Sequence, residues 1–241
     1  MLRTIMWIIY FIFRLLIVTP DLFRVKFLDK KNRIEERDKL VAKTAKKWGR
    51  DLVNASGSKV NVIGEENVPK DQAVLFVSNH QSNLDIPILL GFIDKPKAFI
   101  AKVELNKFPI FSTWMRYAKC IFINRGHPRD ALKAINEGAK LLKEGYSFVL
   151  FPEGTRSKDG SLGRFKPGSL KMATKSGVPV VPVTIRGANE IMPTNKMVIR
   201  PAKVEVIISK PIFMEEDIHK DSNALNQKLW NIINENLNKQ L

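Results

Sequence analysis

Cysteine is nearly missing from this 241-residue sequence: Cys120 stands alone, which excludes an intramolecular disulfide framework. Histidine is scarce as well. His80, His127 and His219 lie far apart and far from Cys120, with no metal-ligand spacing. There is no G-x-x-x-x-G-K-[ST] and no G-x-G-x-x-G, so neither a P-loop nor a dinucleotide fingerprint is present. No G-x-S-x-G elbow occurs, which counts against a serine hydrolase. No segment repeats with a period of roughly 20–50 residues, which excludes solenoids and propellers. Acidic residues are outnumbered, 24 Asp and Glu against 40 Lys and Arg, for a net charge of +16. That excess calls for an anionic partner: nucleic acid, a lipid surface or a phosphorylated substrate. What is present, 44% hydrophobic and 27% charged residues, suffices for one sizeable core.

The charge is unevenly placed. Residues 1–50 hold 13 of the Lys and Arg but 5 of the Asp and Glu, half of the net excess. The same segment contains Ile5–Val18, apolar at every position except Arg14. As a helix this run is about 21 Å long, against about 30 Å for a bilayer core. Thr19-Pro20-Asp21 is expected to end it. Arg3 before an apolar stretch resembles a signal peptide, but no small-x-small site follows and the flank is basic, so cleavage is not expected. Leu22, Phe23, Val25, Phe27 and Leu28 come next, interleaved with Arg24 and Lys26. Leu40, Thr44, Trp48 and Leu52 then recur every fourth residue, a helical stripe with Lys39, Lys43, Lys46, Lys47 and Arg50 off it. An apolar wedge followed by a basic amphipathic helix reads as a membrane-surface anchor. The competing readings are a true single span and a nucleic-acid-binding arm. Phosphate binding has no use for the solid apolar block Trp7–Phe13, so no nucleic-acid partner is expected. Residues 1–56 are therefore read as a membrane-associating helical region and 57–241 as the folded domain.

From Lys59 on, strand-like and helix-like runs alternate. β-prone runs fall at Lys59–Ile63, Ala73–Ser78, Ala98–Ala101, Cys120–Ile123, Tyr146–Phe151, Val178–Ile185 and Val204–Ile208. Helical stretches fall at Asp85–Phe92, Ile110–Tyr117, Pro128–Glu144, Pro167–Ser176 and Asn223–Leu237. Ala73–Val77 and Tyr146–Phe151 are almost continuously apolar, as in strands covered on both faces. The pattern predicts an α/β fold: a single, mostly parallel sheet flanked by helices, preceded by the hydrophobic and basic N-terminal helices. In such sheets ligands bind outside the carboxyl ends of the strands.

Those ends carry the candidate chemistry. Ala73–Ser78 runs into Asn79-His80-Gln81-Ser82-Asn83-Leu84-Asp85. If a helix starts near Ser82, Asp85 can turn back to His80, fix its tautomer and leave the other nitrogen to take a proton. Ser82-x-x-Asp85 is equally a helix-capping pattern. Tyr146–Phe151 runs into Pro152-Glu153-Gly154-Thr155-Arg156-Ser157, where a glycine permits close approach and Thr155, Arg156 and Ser157 can donate to phosphate. The same segment reads as a polar turn closed by a Glu153–Arg156 pair. Arg125 follows a third strand and Lys102 ends a fourth; Lys166 lies before the Pro167–Ser176 helix. Cys120 reads as inert core, Trp114 and Met115 as packing residues, His127 and His219 as loop positions.

Taken in order, Asn79-His80-x4-Asp85, Phe122-Ile123-Asn124-Arg125, Phe151–Ser157 and Val178-Pro179-Val180-Val181-Pro182-Val183 resemble the four sequence blocks of the glycerolipid acyltransferases, most closely the bacterial 1-acylglycerol-3-phosphate acyltransferases. The resemblance runs from about Lys59 to Ile208. It implies that His80 is the general base and Asp85 its orienter. It implies a phosphate and glycerol site of Arg125, Glu153, Gly154, Thr155 and Arg156, with Lys102 and Lys166 as further cations. The hydroxyl would attack the thioester directly, with acyl-CoA or acyl carrier protein as co-substrate and neither cofactor nor metal. The product would be phosphatidic acid, made at the cytoplasmic face of a membrane. The fourth block implies a buried strand beside the acyl site, and its prolines suggest a sheet edge. Three other readings remain: acylation of glycerol 3-phosphate or another lysophospholipid, a non-catalytic basic membrane-binding protein, and a hydrolase built on His80 and Asp85.

Overall fold

The computed structural model describes residues 1–124, 127–166, 168–194, 196–214 and 222–239. Among the described residues seven strands form one sheet: β1 (Lys59–Ile63), β2 (Leu75–Ser78), β3 (Ala98–Lys102), β4 (Ile121–Ile123), β5 (Phe148–Leu150), β6 (Val180–Arg186) and β7 (Lys203–Ile208). Their spatial order is β1-β7-β6-β2-β5-β3-β4, and every neighbouring pair is parallel except β6–β7. Each strand falls on one of the seven β-prone runs. Central β2 is buried on both faces, which explains its unbroken apolar sequence. Alternate residues serve two cores. Val74 and Phe76 join Leu84, Ile88, Val181 and Val183 on one face; Leu75 and Val77 join Phe148, Met172, Leu229 and Ile233 on the other.

Helix α4 (Asp85–Phe92) covers the first face. Helices α6 (Pro128–Lys143), α7 (Lys171–Ser176) and α9 (Ser222–Asn238) cover the second. Helices α5 (Pro109–Tyr117) and α8 (Ala188–Ile191) complete the set after three N-terminal helices: α1 (Leu2–Ile17), α2 (Thr19–Lys30) and α3 (Ile34–Ala55).

The expected sheet edge at Val178–Val183 is wrong: β6 lies between β7 and β2. Pro182 is accommodated because it sits at a gap in the pairing on the β7 side. The β6–β7 ladder begins at Val183↔Ile208, and the next contact is the isolated bridge Val180↔Ile212. In that gap the Pro182 carbonyl accepts from Ser209 N–H, so its missing N–H removes no ladder bond.

The expected helix stop at Thr19-Pro20-Asp21 is also corrected. Leu22 N–H donates to the Val18 carbonyl, so hydrogen bonding runs through the junction of α1 and α2, and Pro20 occupies the first turn of α2, where its missing N–H is harmless. Leu2–Lys30 thus form one run of 29 residues, long and apolar enough to cross a membrane. One face of α1 is fastened to α3 by polar contacts. Trp7 Nε1 donates to the Leu52 carbonyl, Arg3 reaches the Ser56 carbonyl, and buried Arg14 pairs with Asp51. The other face leaves Ile5, Met6, Ile9, Ile12, Phe13 and Leu16 exposed. Of the expected α3 stripe, Thr44 and Leu52 are buried and Leu40 and Trp48 half-buried; Val41 and Val53 are buried beside them, with Arg37 buried against Asp29 and Asp38. Val53 joins the core, and α3 packs along α4. At the α3–α4 crossing the two backbones nearly touch. A Cβ on Gly49 would lie 2.6 Å from the Pro87 carbonyl oxygen, and one on Gly91 would lie 2.5 Å from the Arg50 nitrogen.

Candidate active site

The loop after β2 carries His80. The Asp85 carboxylate, on the first residue of α4, accepts through Oδ2 from His80 Nδ1 at 2.7 Å and from the Gln81 and Ser82 N–H groups at 2.7 and 2.8 Å. Asp85 is fully buried. The capping pattern and the histidine–aspartate pair therefore coexist: one oxygen ties down the loop and the imidazole together. Because Nδ1 donates to the carboxylate, the neutral ring keeps Nε2 as its basic nitrogen. The His80 ring stacks on Phe151 at 4.1 Å between centroids, which fixes its plane.

The loop after β5, the neighbour of β2, supplies the other wall. Glu153 is buried. Its Oε1 accepts from His80 N–H at 2.9 Å and its Oε2 from Gly163 N–H at 2.8 Å. Burial pushes its carboxyl up, against the downward pull of those two donors. No Glu153–Arg156 ion pair forms among the described residues. Ser157 N–H closes the link by donating to the His80 carbonyl at 2.7 Å. Gly154 sits in the left-handed region with φ +69°, and the Lys166 side chain lies over it: a Cβ there would be 2.7 Å from Nζ. Thr155 and Lys166 are exposed and Arg156 is half-buried.

His80, Arg156 and Lys102 line one cavity of about 330 Å³. Its size and lining suit a ligand that is mostly apolar with a few polar anchors. The walls are Ile86, Leu90, Phe99, Leu105, Phe111 and Trp114, with α1 and α3 contributing Leu15, Val18, Val41 and Trp48. Trp114 and Met115, expected to be packing residues, are half-buried and line this space. The lining also includes Lys97, whose buried amino group donates to the Leu89 and Ile93 carbonyls, both at 2.9 Å, over the Phe76 ring. Burial pulls its pKa down to about 7. Cys120 lines the cavity too, and burial pushes its thiol up to about 12, which keeps it inert.

The structure thus brings His80, Asp85, Lys102 and Arg156 together, places Gly154, Thr155 and Lys166 on the adjoining loop, and puts Glu153 beneath it. Arg125 and His219 lie outside the described residues. Residue-by-residue reading missed Lys97, Trp48 and Phe111. A lysine before β3 and aromatics at helical spacing look like surface and packing residues until the fold places them around one space.

Fold and site define an α/β protein with a hydrogen-bonded histidine–aspartate pair at the carboxyl ends of a largely parallel sheet. A family model described as acyltransferase matches residues 59–186, and the chain belongs to that family. It is 44% identical over 156 residues to the chloroplastic 1-acyl-sn-glycerol-3-phosphate acyltransferase of Arabidopsis thaliana, covering 64% of this chain and 44% of that one. The chain therefore spans less than half of that plant relative. It is 36% identical over 191 residues to a probable 1-acyl-sn-glycerol-3-phosphate acyltransferase of Mycoplasma pneumoniae, covering 74% of this chain and 71% of that one. The crystal structure of the 1-acyl-sn-glycerophosphate acyltransferase PlsC from Thermotoga maritima superposes with a TM-score of 0.82 at 34% identity, covering 98% of this chain and 95% of that one.

Proposed function

We propose that this protein transfers a fatty acyl group from a thioester donor, acyl-CoA or acyl carrier protein, to the 2-hydroxyl of 1-acyl-sn-glycerol 3-phosphate, giving phosphatidic acid. The observation that carries the reading is the Asp85-oriented His80 on the lining of an apolar cavity that two cations, Arg156 and Lys102, also line. His80 Nε2 takes the hydroxyl proton as the oxygen attacks the thioester carbonyl. The tetrahedral intermediate collapses, the C–S bond breaks, and the leaving thiolate takes the proton back from the imidazolium, which Asp85 stabilises. Arg156 and Lys102 are assigned to the acceptor's phosphate, with Lys166, Gly154 and Thr155 completing that side. Glu153 acts on His80 through the backbone and does not touch substrate. The apolar walls suit a fatty acyl chain.

The exposed apolar face of α1, with Phe23 and Phe27 on α2, is assigned to the membrane. Lys26 and Lys31 lie over those two rings, suited to an anionic leaflet. In this assignment α3 links the membrane helices to the α/β domain. Because both donors are cytosolic, this reading assigns the enzyme to the cytoplasmic face.

The test is acyl transfer by the purified full chain in anionic liposomes, with labelled 1-acylglycerol 3-phosphate and either donor. Phosphatidic acid is expected, with turnover falling about 10²–10⁴-fold in His80→Ala. Asp85→Asn is expected to lose activity while binding acceptor normally. Absence of product with both donors sinks the reading, and product from glycerol 3-phosphate alone would move it to that acceptor.

A further inference from the structure

We propose that Thr194 is a positioning residue for His80, acting through the backbone of the two loops that form the site; this rests on the reading of His80 as the base. Thr194 lies in the connection between β6 and β7, outside all four blocks of the resemblance. Its Oγ1 is 2.7 Å from the Ser157 carbonyl oxygen and 3.2 Å from the Gln81 carbonyl oxygen. Gln81 follows His80, and Ser157 follows Arg156, so one hydroxyl touches both site-bearing loops. Carbonyl oxygens only accept, and the threonine proton is the donor that satisfies them; the shorter contact marks Ser157 as its main partner.

Ser157 is already coupled to the base, because its N–H donates to the His80 carbonyl at 2.7 Å. Thr194 therefore holds the C=O of Ser157, the same residue whose N–H holds the His80 carbonyl, so the two contacts grip the successive peptide units on either side of one Cα. The connection can bear this load because it is itself tied down. Ser82 Oγ donates to the Met192 carbonyl at 2.9 Å, Arg200 N–H to the Ile191 carbonyl at 3.0 Å, and Ile199 N–H to Thr4 Oγ1 on α1 at 3.0 Å. A third, anchored segment fixes the distance between the histidine loop and the cation loop. A general base works only at hydrogen-bond reach of the proton it removes, so a small splaying of these loops acts on turnover before it acts on binding.

The test compares wild type, Thr194→Val, Thr194→Ser and His80→Ala as full chains in anionic vesicles, with 1-acylglycerol 3-phosphate and acyl-CoA. Thr194→Val keeps the shape and removes the donor. It is expected to lower kcat about 10- to 100-fold with the acceptor KM unchanged, and Thr194→Ser is expected to restore most of the loss. Hydrogen exchange at Ser157 N–H should quicken in Thr194→Val and not in Thr194→Ser. Wild-type kcat in Thr194→Val beside an inactive His80→Ala overturns the proposal and leaves the base assignment standing. Retained turnover in His80→Ala overturns both. Should Thr194→Val not fold, Thr194→Ala decides by the same two readouts, and unchanged kcat and exchange there overturn the proposal.

Discussion

Glu153 shows how little of a residue's role its type reveals. A glutamate beside an arginine in a glycine-containing turn invites an ion pair or a substrate contact, yet both oxygens are occupied by backbone N–H groups of His80 and Gly163. Glutamine can offer one acceptor oxygen, and its amide N–H₂ would face a donor. Glu153→Gln is expected to destabilise the fold by about 1–3 kcal/mol, read from denaturant midpoints, and to lower kcat without raising the acceptor KM. A raised KM would put Glu153 in contact with substrate. Lys97 is the second residue whose setting decides its chemistry. Its pKa is held at about 7 in the fold, against 10.5 in the unfolded chain. Between those values the unfolded state binds more protons, so this group makes stability rise with pH from about 7 to about 10.5. Lys97→Met removes that slope. The stability advantage of wild type over Lys97→Met is expected to be larger at pH 9 than at pH 7 in urea titrations; a pH-independent difference would show that Lys97 is not held neutral.

At the scale of elements, α4 carries the site. Asp85 begins it, Lys97 satisfies carbonyls at its other end, and its outer side is pressed against α3 through Gly49 and Gly91. The Asp85 carboxylate at the helix N-terminus suits the helix dipole, and the Lys97 N–H donors satisfy carbonyls left open at its C-terminus. The glycine contact has no flexible atom to yield, since what a Cβ would meet is backbone. Gly91→Ala is expected to lower stability by about 1–3 kcal/mol, seen as a fall in Tm. Because α4 must shift to admit the methyl, turnover should fall as well. An unchanged Tm would mean that the two helices separate easily.

The whole molecule has one face unlike the others. Ile5, Ile9 and Phe13 are each at least half exposed on α1, while the opposite side of that helix is bound to α3 through Arg3, Trp7 and Arg14. Arg14, which interrupts the apolar run, carries no unpaired charge because Asp51 faces it. Replacing Ile5, Ile9 and Phe13 together by serine is expected to weaken partition into anionic vesicles by about 10²-fold or more, from the apolar area removed, in a sedimentation assay. The cavity and the His80–Asp85 pair are built from other residues and should survive in detergent. Equal vesicle binding would move the membrane contact elsewhere.

The strands were legible because central parallel strands are apolar on both faces, and Leu75–Val77 or Phe148–Leu150 have little else they can be. His80 and Asp85 were legible because five residues at a strand-to-helix turn can close on each other without help from the rest of the chain. The α3 stripe was legible as a helix face, but what it packs against was not. Local pattern also failed at Pro182, which looked like an edge residue, and at Pro20, which looked like a helix stop. In both cases neighbouring backbone leaves the missing N–H unneeded. By itself the sequence determined the elements and the fold class, both products of near-neighbour spacing, and marked His80 and Asp85 as residues able to pair across one turn. Only the tertiary structure decided that Glu153 accepts from His80 N–H, that Thr194 reaches the Ser157 and Gln81 carbonyls, that Arg14 meets Asp51, and that residues from Leu15 to Arg156 enclose one cavity. Those contacts join segments far apart in the chain, and no local periodicity encodes which of them will meet.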